Sequence, residues 1–340
     1  MATRNRAIFG CAGTELTDQE RAFFADARPW GFILFARNIE SPDQVRRLVL
    51  SLRESIDDPD APVLVDQEGG RVARMKPPRW KARPAAARFG EIYEREPQLA
   101  REAAYLNARL VAQDCADLGI TVDCVPVLDV PVWDADPVIG DRAFGREPSV
   151  VIELGRAVIH GMLDGGVLPV MKHAPGHGRA TADTHFSLPR VATAAEELGV
   201  SDFVPFRALA QDCPCAITAH VVFEAIDPQH PATTSPRVVL QIIRGEIGFE
   251  GLLLTDDLSM NALSGSLGAR TKAAMLAGCD IALHCNGKMD EMKDVAGEAK
   301  VLEGDPLKRA ERALACLRLP QAFDTSAAET RLSQLLGAVA

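Results

Sequence analysis

Eight short apolar runs, most of them separated by segments of helical periodicity, constrain this chain more than any other feature. They occupy residues 7–11, 31–35, 61–65, 120–127, 167–172, 215–220, 251–255 and 280–284. Helical periodicity fills residues 42–55, 102–118, 150–163 and 194–210. Strands that alternate with helices pair in parallel, because only a long crossover returns the chain in the same direction. Eight of them without a break in composition predict a closed (β/α)8 barrel of the TIM type, with residues 1–340 as a single domain. The proline cluster at residues 77–84 then reads as a long loop, since further strands follow it.

Where these runs end matters as much as where they lie. Asp66, Asp129, Lys172 with His173, His220, Asp256 with Asp257, and His284 all stand at or just past the end of a run. A barrel enzyme assembles its site from polar residues at the C-terminal ends of several strands, so their convergence is expected at one mouth.

Composition narrows the partners. With a formal charge of −10 the chain lacks the basic balance that nucleic acid or an anionic membrane favours, whereas a small substrate responds only to the local field. The eight cysteines include no CxxC pair and mostly sit in apolar runs, as buried free thiols in a reducing compartment do. The apolar run after Arg4 and Arg6 is too short for a signal core, and no stretch approaches the roughly 20 apolar residues of a membrane span. A cytoplasmic protein is the expectation, with a monomer the default assembly.

Four clusters carry chemistry. The segment KHAPGHGRATADTH, residues 172–185, packs three of the seven histidines into fourteen residues. His173 and His177 are four apart, as zinc ligands on one helical face would be, but Pro175 and Gly176 break such a helix. Asp183 and His185 are two apart and share a side in extended backbone, where a carboxylate fixes the imidazole tautomer and raises its pKa. A turn in which Asp183 caps backbone donors is the bland alternative. The run GLLLTDDLSM from Gly251 ends a strand in two aspartates that face opposite ways, and alternation alone leaves open which faces the site. DQEGGRVAR from Asp66 places two glycines between Asp66 and Arg74, and DADPVIGDRAFG from Asp134 carries Arg142. The first could bind hydroxyls or a carboxylate or be a tight turn with a surface ion pair, and Arg142 is either a ligand clamp or a loop-anchoring hydrogen-bond donor.

In this order, GFILFARNI from Gly31, DQEGGRVAR, VPVLDV, VIGDRAFG, KHAPGHG with DTH, RGEIGFEGLLLTDDLSM and the HCNG at His284 resemble glycoside hydrolase family 3. They are most similar to its single-domain branch, the bacterial β-N-acetylglucosaminidases (β-N-acetylhexosaminidases) of peptidoglycan recycling. The resemblance implies a barrel and a retaining exo-glycosidase with no cofactor and no metal. It implies that Asp256 is the nucleophile and His185 the acid/base with Asp183 as its partner. Asp66, Arg74, Arg142, Lys172 and His173 would hold a non-reducing N-acetylglucosamine of a cell-wall fragment. Two departures stand out: Ala174 replaces the usual aromatic, and Thr184 the commoner serine. The larger two-domain relatives take a catalytic Glu from a second domain, and this chain has only its histidine loop for that work. Three other readings fit the residues: a phosphorylase on the same site, a zinc-dependent barrel hydrolase using His173, His177 and an aspartate, and a non-catalytic sugar-binding barrel.

Overall fold

The computed structural model describes residues 3–180, 182, 184 and 187–337. Each apolar run overlaps a barrel strand: β1 (Asn5–Gly10), β2 (Pro29–Leu34), β3 (Val63–Val65), β4 (Val122–Asp123), β5 (Leu168–Ala174), β6 (Cys215–Thr218), β7 (Leu252–Asp257) and β8 (Ile281–His284). Every strand pairs in parallel with the next in sequence, and β8 pairs with β1 to close the ring. The (β/α)8 barrel is therefore the fold of this chain.

Period-2 alternation builds two apolar layers from these strands. One layer draws Ile8, Ile33, Leu64, Val122, Val170, Ile217, Leu254 and Leu283 from all eight strands, which only the barrel interior permits. Their neighbours Phe9, Phe32, Val65, Met171, Ala216, Leu253 and Ala282 face the surrounding helices in the other layer. Strands apolar on both faces are what a barrel sheathed in helices demands. At the N-terminal end, where Val301 bridges Asn5, the helix Gly304–Leu314 inserts Ala310 and Ala313 into the inner layer and plugs the floor. The opposite end is left for the loops.

Helix starts follow local chemistry. Thr17 and Glu20 form a reciprocal capping box for Asp18–Ala27, and Ser41 caps Pro42–Ser55, whose proline sits where its missing N–H costs nothing. Pro97 likewise opens the helix Pro97–Ala116 earlier than periodicity indicated. The helix expected over residues 194–210 is two, Ala195–Val200 and Phe203–Leu209. Ser201 leaves helical geometry between them, and the buried Asp202 carboxylate accepts from Ser201 and Arg179 instead. A two-stranded parallel ribbon, Arg190–Val191 with Val222–Phe223, has no counterpart in the sequence reading.

The proline-rich stretch packs onto the body of the molecule. Arg83 is buried between Asp114 and Glu329, which ties it to the helix Thr325–Gly337. All eight cysteines are free thiols and seven are buried. Among the described residues no helix is long and apolar enough to cross a membrane.

Candidate active site

At the C-terminal end of the barrel a cavity of about 240 Å³ has Ile33, Cys124, Ile217, Leu283 and Cys285 among its lining residues. The same alternation that sends Leu64 inward carries Asp66 into this cavity two residues later. It does so again from Val170 to Lys172 and from Leu254 to Asp256. Lys172 and His173, joined by a cis peptide bond, both line it.

The cations and carboxylates form one chain of contacts. Lys172 Nζ donates to Asp66 Oδ1 at 2.9 Å and lies 2.6 Å from Glu68 Oε1. Arg142 clamps both oxygens of Glu68 at 2.8 Å, and its NH2 stands 3.5 Å from His173 Nε2. Arg74 donates to Asp66 Oδ2 at 3.0 Å with its guanidinium 4.8 Å from the Phe35 ring centroid. Burial alone would raise Asp66 and Glu68, but the neighbouring cations outweigh it and hold both carboxyls below their usual range. The reverse holds for Lys172, which burial would lower and the two carboxylates raise.

Behind His173 stands Asp129, fully buried. It accepts from His173 Nδ1 at 2.7 Å and from the backbone N–H groups of His173 and His177. With a carboxylate oxygen at Nδ1 and a guanidinium, which can only donate, at Nε2, the ring hydrogen belongs on Nδ1, and Nε2 faces Arg142 and the cavity. His177 is different: burial, then the charge of His173, lowers it to about 4, leaving it a neutral imidazole. Among the described residues its Nδ1 and the Nε of Arg74 are buried without a partner, a deficit that a polar ligand would satisfy.

The aspartate pair resolves by geometry. Asp257 gives its carboxylate to the fold, accepting from the Ser259 N–H and hydroxyl and from the Cys285 N–H. Asp256 accepts only the Asp257 N–H among the described protein bonds, at 2.8 Å. Burial would raise the Asp256 carboxyl, yet His220, His173, that N–H and Lys172 together keep it below its usual value, so it is ionised. An ionised carboxylate so placed on a cavity wall has the chemistry a nucleophile requires.

Of the expected site residues, Asp66, Arg74, Arg142, Lys172, His173 and Asp256 converge on this cavity. Asp183 and His185 lie outside the described residues. Thr184, between them, lines the cavity, and its carbonyl accepts from the Ala262 N–H. His284 is a correction: Ile281 and Leu283 point inward, so His284 points out and bonds Glu291 of the helix Met289–Ala299. His220 sits behind the site, bonding the Asp257 carbonyl and Thr233. For the zinc reading, His173 and His177 ring centroids lie 5.6 Å apart, but Asp129 and Arg142 already engage the His173 nitrogens. Among the described residues no three His, Cys, Asp or Glu side chains gather as a metal site would.

Sequence reasoning missed Glu68, the hub between Lys172 and Arg142. Its signal was available, since Asp66 and Glu68 are two apart. Gln67 was missed as well. Its N–H donates to the buried Asp123, its Oε1 accepts from the Arg74 and Met75 N–H groups, and its Nε2 donates to the Met75 carbonyl. That brace, with Gly69 and Gly70 at φ 98° and 55°, shapes the loop that presents Arg74.

Comparison with known proteins agrees with this geometry. Residues 11–315 match the glycosyl hydrolase family 3 N terminal domain. A beta-hexosaminidase of Alkalilimnicola ehrlichii is 41% identical over 282 residues, 82% of this chain and 80% of that one. A beta-hexosaminidase of Nitrosomonas eutropha is 39% identical over 278 residues, 81% of this chain and 79% of that one. Among solved structures, NagZ from Neisseria gonorrhoeae superposes with a TM-score of 0.83 at 30% identity, covering 98% of both chains. A family 3 β-N-acetylglucosaminidase from Paenibacillus gives 0.85 at 29% identity, over 97% of this chain and 67% of that one. With the profile spanning most of the sequence and the barrel and cavity in place, this chain belongs to glycoside hydrolase family 3.

Proposed function

We propose that the chain is a retaining exo-β-N-acetylglucosaminidase, residues 1–340 acting as one catalytic barrel. The observation that carries this reading is the Asp256 carboxylate, ionised and accepting only the Asp257 N–H among the described bonds, on the wall of a cavity sized for one sugar. Arg74, Arg142 and Lys172 supply donors, and Asp66, Glu68 and the Nε2 of His173 acceptors, for the hydroxyls and acetamide of that sugar. The beta-hexosaminidase names of its relatives point to the same sugar class.

Asp256 attacks the anomeric carbon as the bond to the leaving oxygen breaks, and His185, protonated and oriented by Asp183, gives that oxygen its proton. The product of this step is a glycosyl ester on Asp256. Neutral His185 then takes a proton from water, whose oxygen displaces Asp256 and restores the original anomeric configuration. The usual acid/base in such enzymes is a second carboxyl group. A histidine suits the role because its ordinary pKa near 6.5 keeps both forms available around neutrality, and it adds no negative charge beside Asp256.

The substrate we assign is a terminal β-1,4-linked N-acetylglucosamine on a cell-wall muropeptide fragment, such as N-acetylglucosaminyl-anhydro-N-acetylmuramic acid, handled in the cytoplasm. The test is nitrophenol release from the β-N-acetylglucosaminide and the β-glucoside in parallel, with EDTA present. Preferential cleavage of the N-acetyl substrate is expected. Preference for the glucoside, or loss of activity with the chelator, would overturn the assignment.

A further inference from the structure

His220 stands just past the end of β6 with none of its surface exposed, and no step of the reaction above uses it. Its ring has two partners. Nε2 lies 3.0 Å from the Asp257 carbonyl oxygen, which can only accept, so Nε2 carries a proton. Burial lowers the imidazole below its ordinary pKa and leaves it neutral, so Nδ1 must accept. The Thr233 hydroxyl, 2.7 Å from Nδ1, supplies that proton, and the Thr218 hydroxyl stands 2.8 Å from Thr233 Oγ1. Thr218, Thr233, His220 and the Asp257 carbonyl thus form one directed chain of hydrogen bonds, all of it buried.

The carbonyl at the end of that chain belongs to the residue after the nucleophile. Asp257 is held through each of its polar groups. His220 takes its carbonyl, Ser259 and the Cys285 N–H take its carboxylate, and its own N–H donates to Asp256 Oδ1 at 2.8 Å. The next N–H, that of Leu258, donates to the Leu283 carbonyl of β8. His220 therefore ties this stretch of chain to the β6 side, while Leu283 and Cys285 tie it to the β8 side. A residue clamped from both sides aims its N–H in one direction, and that N–H holds Asp256 Oδ1. Among the described bonds Asp256 Oδ2 accepts none, which makes it the oxygen that attacks.

Thr233 is fixed in turn. It sits in the short helix Ala232–Thr234, whose Ala232 N–H donates to the Val221 carbonyl, next to His220. Val222 and Phe223 then pair with Arg190 and Val191, where the chain returns from the histidine cluster. One braced segment thus supports the nucleophile's strand and the chain that leaves the histidine cluster.

We propose that His220, oriented by Thr233, is a positioning residue that aims the Asp256 carboxylate at the anomeric carbon. This rests on the hydrolase reading above and adds to it what fixes the direction of attack. Neither His220 nor Thr233 lines the cavity, so their loss slows attack without weakening the hold on the sugar.

The test measures kcat/KM on the nitrophenyl and the phenyl β-N-acetylglucosaminides, a good and a poor leaving group, and the affinity for free N-acetylglucosamine by calorimetry. His220→Leu is expected to lower kcat/KM about a hundred-fold on both substrates alike, with sugar affinity within about two-fold of the parent. His220→Gln, whose amide can donate to the same carbonyl, is expected to recover most of that loss. Thr233→Val should cost roughly ten-fold and Thr233→Ser less than about two-fold. The Thr233 pair leaves His220 in place and decides the matter if His220→Leu does not fold. A folded His220→Leu within about three-fold of the parent overturns the positioning role and leaves the hydrolase reading intact. So does a sugar affinity that falls in step with the rate and is not recovered by glutamine, or a Thr233→Val as active as Thr233→Ser. A parent enzyme that cleaves neither glycoside overturns both.

Discussion

Asp256 and Asp257 are neighbours with opposite tasks, and their hydrogen bonds separate them. Asp257 spends its lone pairs on Ser259 and Cys285, so Asp257→Ala should cost about 1–3 kcal/mol of stability for the donors it orphans while leaving turnover measurable. Asp256→Ala should abolish turnover with little change in melting temperature. Thermal melts and steady-state rates on the two variants check this together, and the exchanged pattern would overturn the assignment. His185→Ala should slow substrates with poor leaving groups by ~10²–10⁴-fold, the usual worth of a general acid/base. A nitrophenyl substrate, which departs without a proton, should lose less in the first step. In the sequence only the family resemblance singled out Asp256, because Leu252, Leu253 and Leu254 are all apolar and either phase of the strand looks alike. Only the ring of eight inward side chains fixes the phase. Glu68 had a local signal in its spacing from Asp66, but its role as a hub did not, because its partners Lys172 and Arg142 are remote in sequence.

At the level of elements, the boundary between β5 and its loop determines the site. After β5 the chain makes contact with the segment that follows β4, and Gly178 is where they touch. A Cβ there would stand 2.0 Å from the Val130 carbonyl oxygen, which real side chains do not tolerate. Gly178→Ala should therefore push the two segments apart. We expect ~1–3 kcal/mol of destabilisation and a loss of activity larger than that loss of folded protein explains. Equal rates per folded molecule would show that the contact is structural only. The strands themselves were legible, since eight apolar runs gave eight strands in the order that parallel pairing requires. Their C-terminal ends were read less well: β5 runs on to Ala174, two residues beyond its apolar run, because Ala174 pairs again with Thr218 after a register shift across Lys172 and His173. The break at Ser201 was unreadable from periodicity, because it depends on Arg179 reaching Asp202 from another loop.

Across the whole molecule, a barrel mouth filled with charges couples stability to pH. Asp123 is the case to follow. Burial lifts it to about 7, against a weaker pull from the Gln67 N–H and Lys172, and its Oδ2 has no partner among the described residues. A carboxyl raised on folding binds more protons folded than unfolded between roughly pH 4 and 7. Its contribution to stability is therefore present at the acid end of that window and lost as pH rises through it. Asp123→Asn keeps an oxygen for Gln67 and removes the charge. It should raise the melting temperature by several degrees near about pH 8, with the gain shrinking towards about pH 5. His177 works in the opposite sense: lowered to about 4, it is neutral when folded, so stability falls as pH drops from about 6.5 towards that value. A gain from Asp123→Asn that is the same at both pH values would contradict this account. None of this was visible in the sequence, where Asp123 sits unremarked inside an apolar run.

The central claim is a covalent sugar on Asp256. The His185→Ala variant offers the most direct view, because it should accept a sugar from the nitrophenyl β-N-acetylglucosaminide yet lack the base that activates water for its release. Intact mass after rapid mixing should show the protein heavier by one N-acetylhexosamine residue, accompanied by a burst of nitrophenol, and peptide fragmentation should place the adduct on Asp256. An adduct on Asp257, or no adduct with the freed sugar appearing in the inverted configuration, would contradict the mechanism.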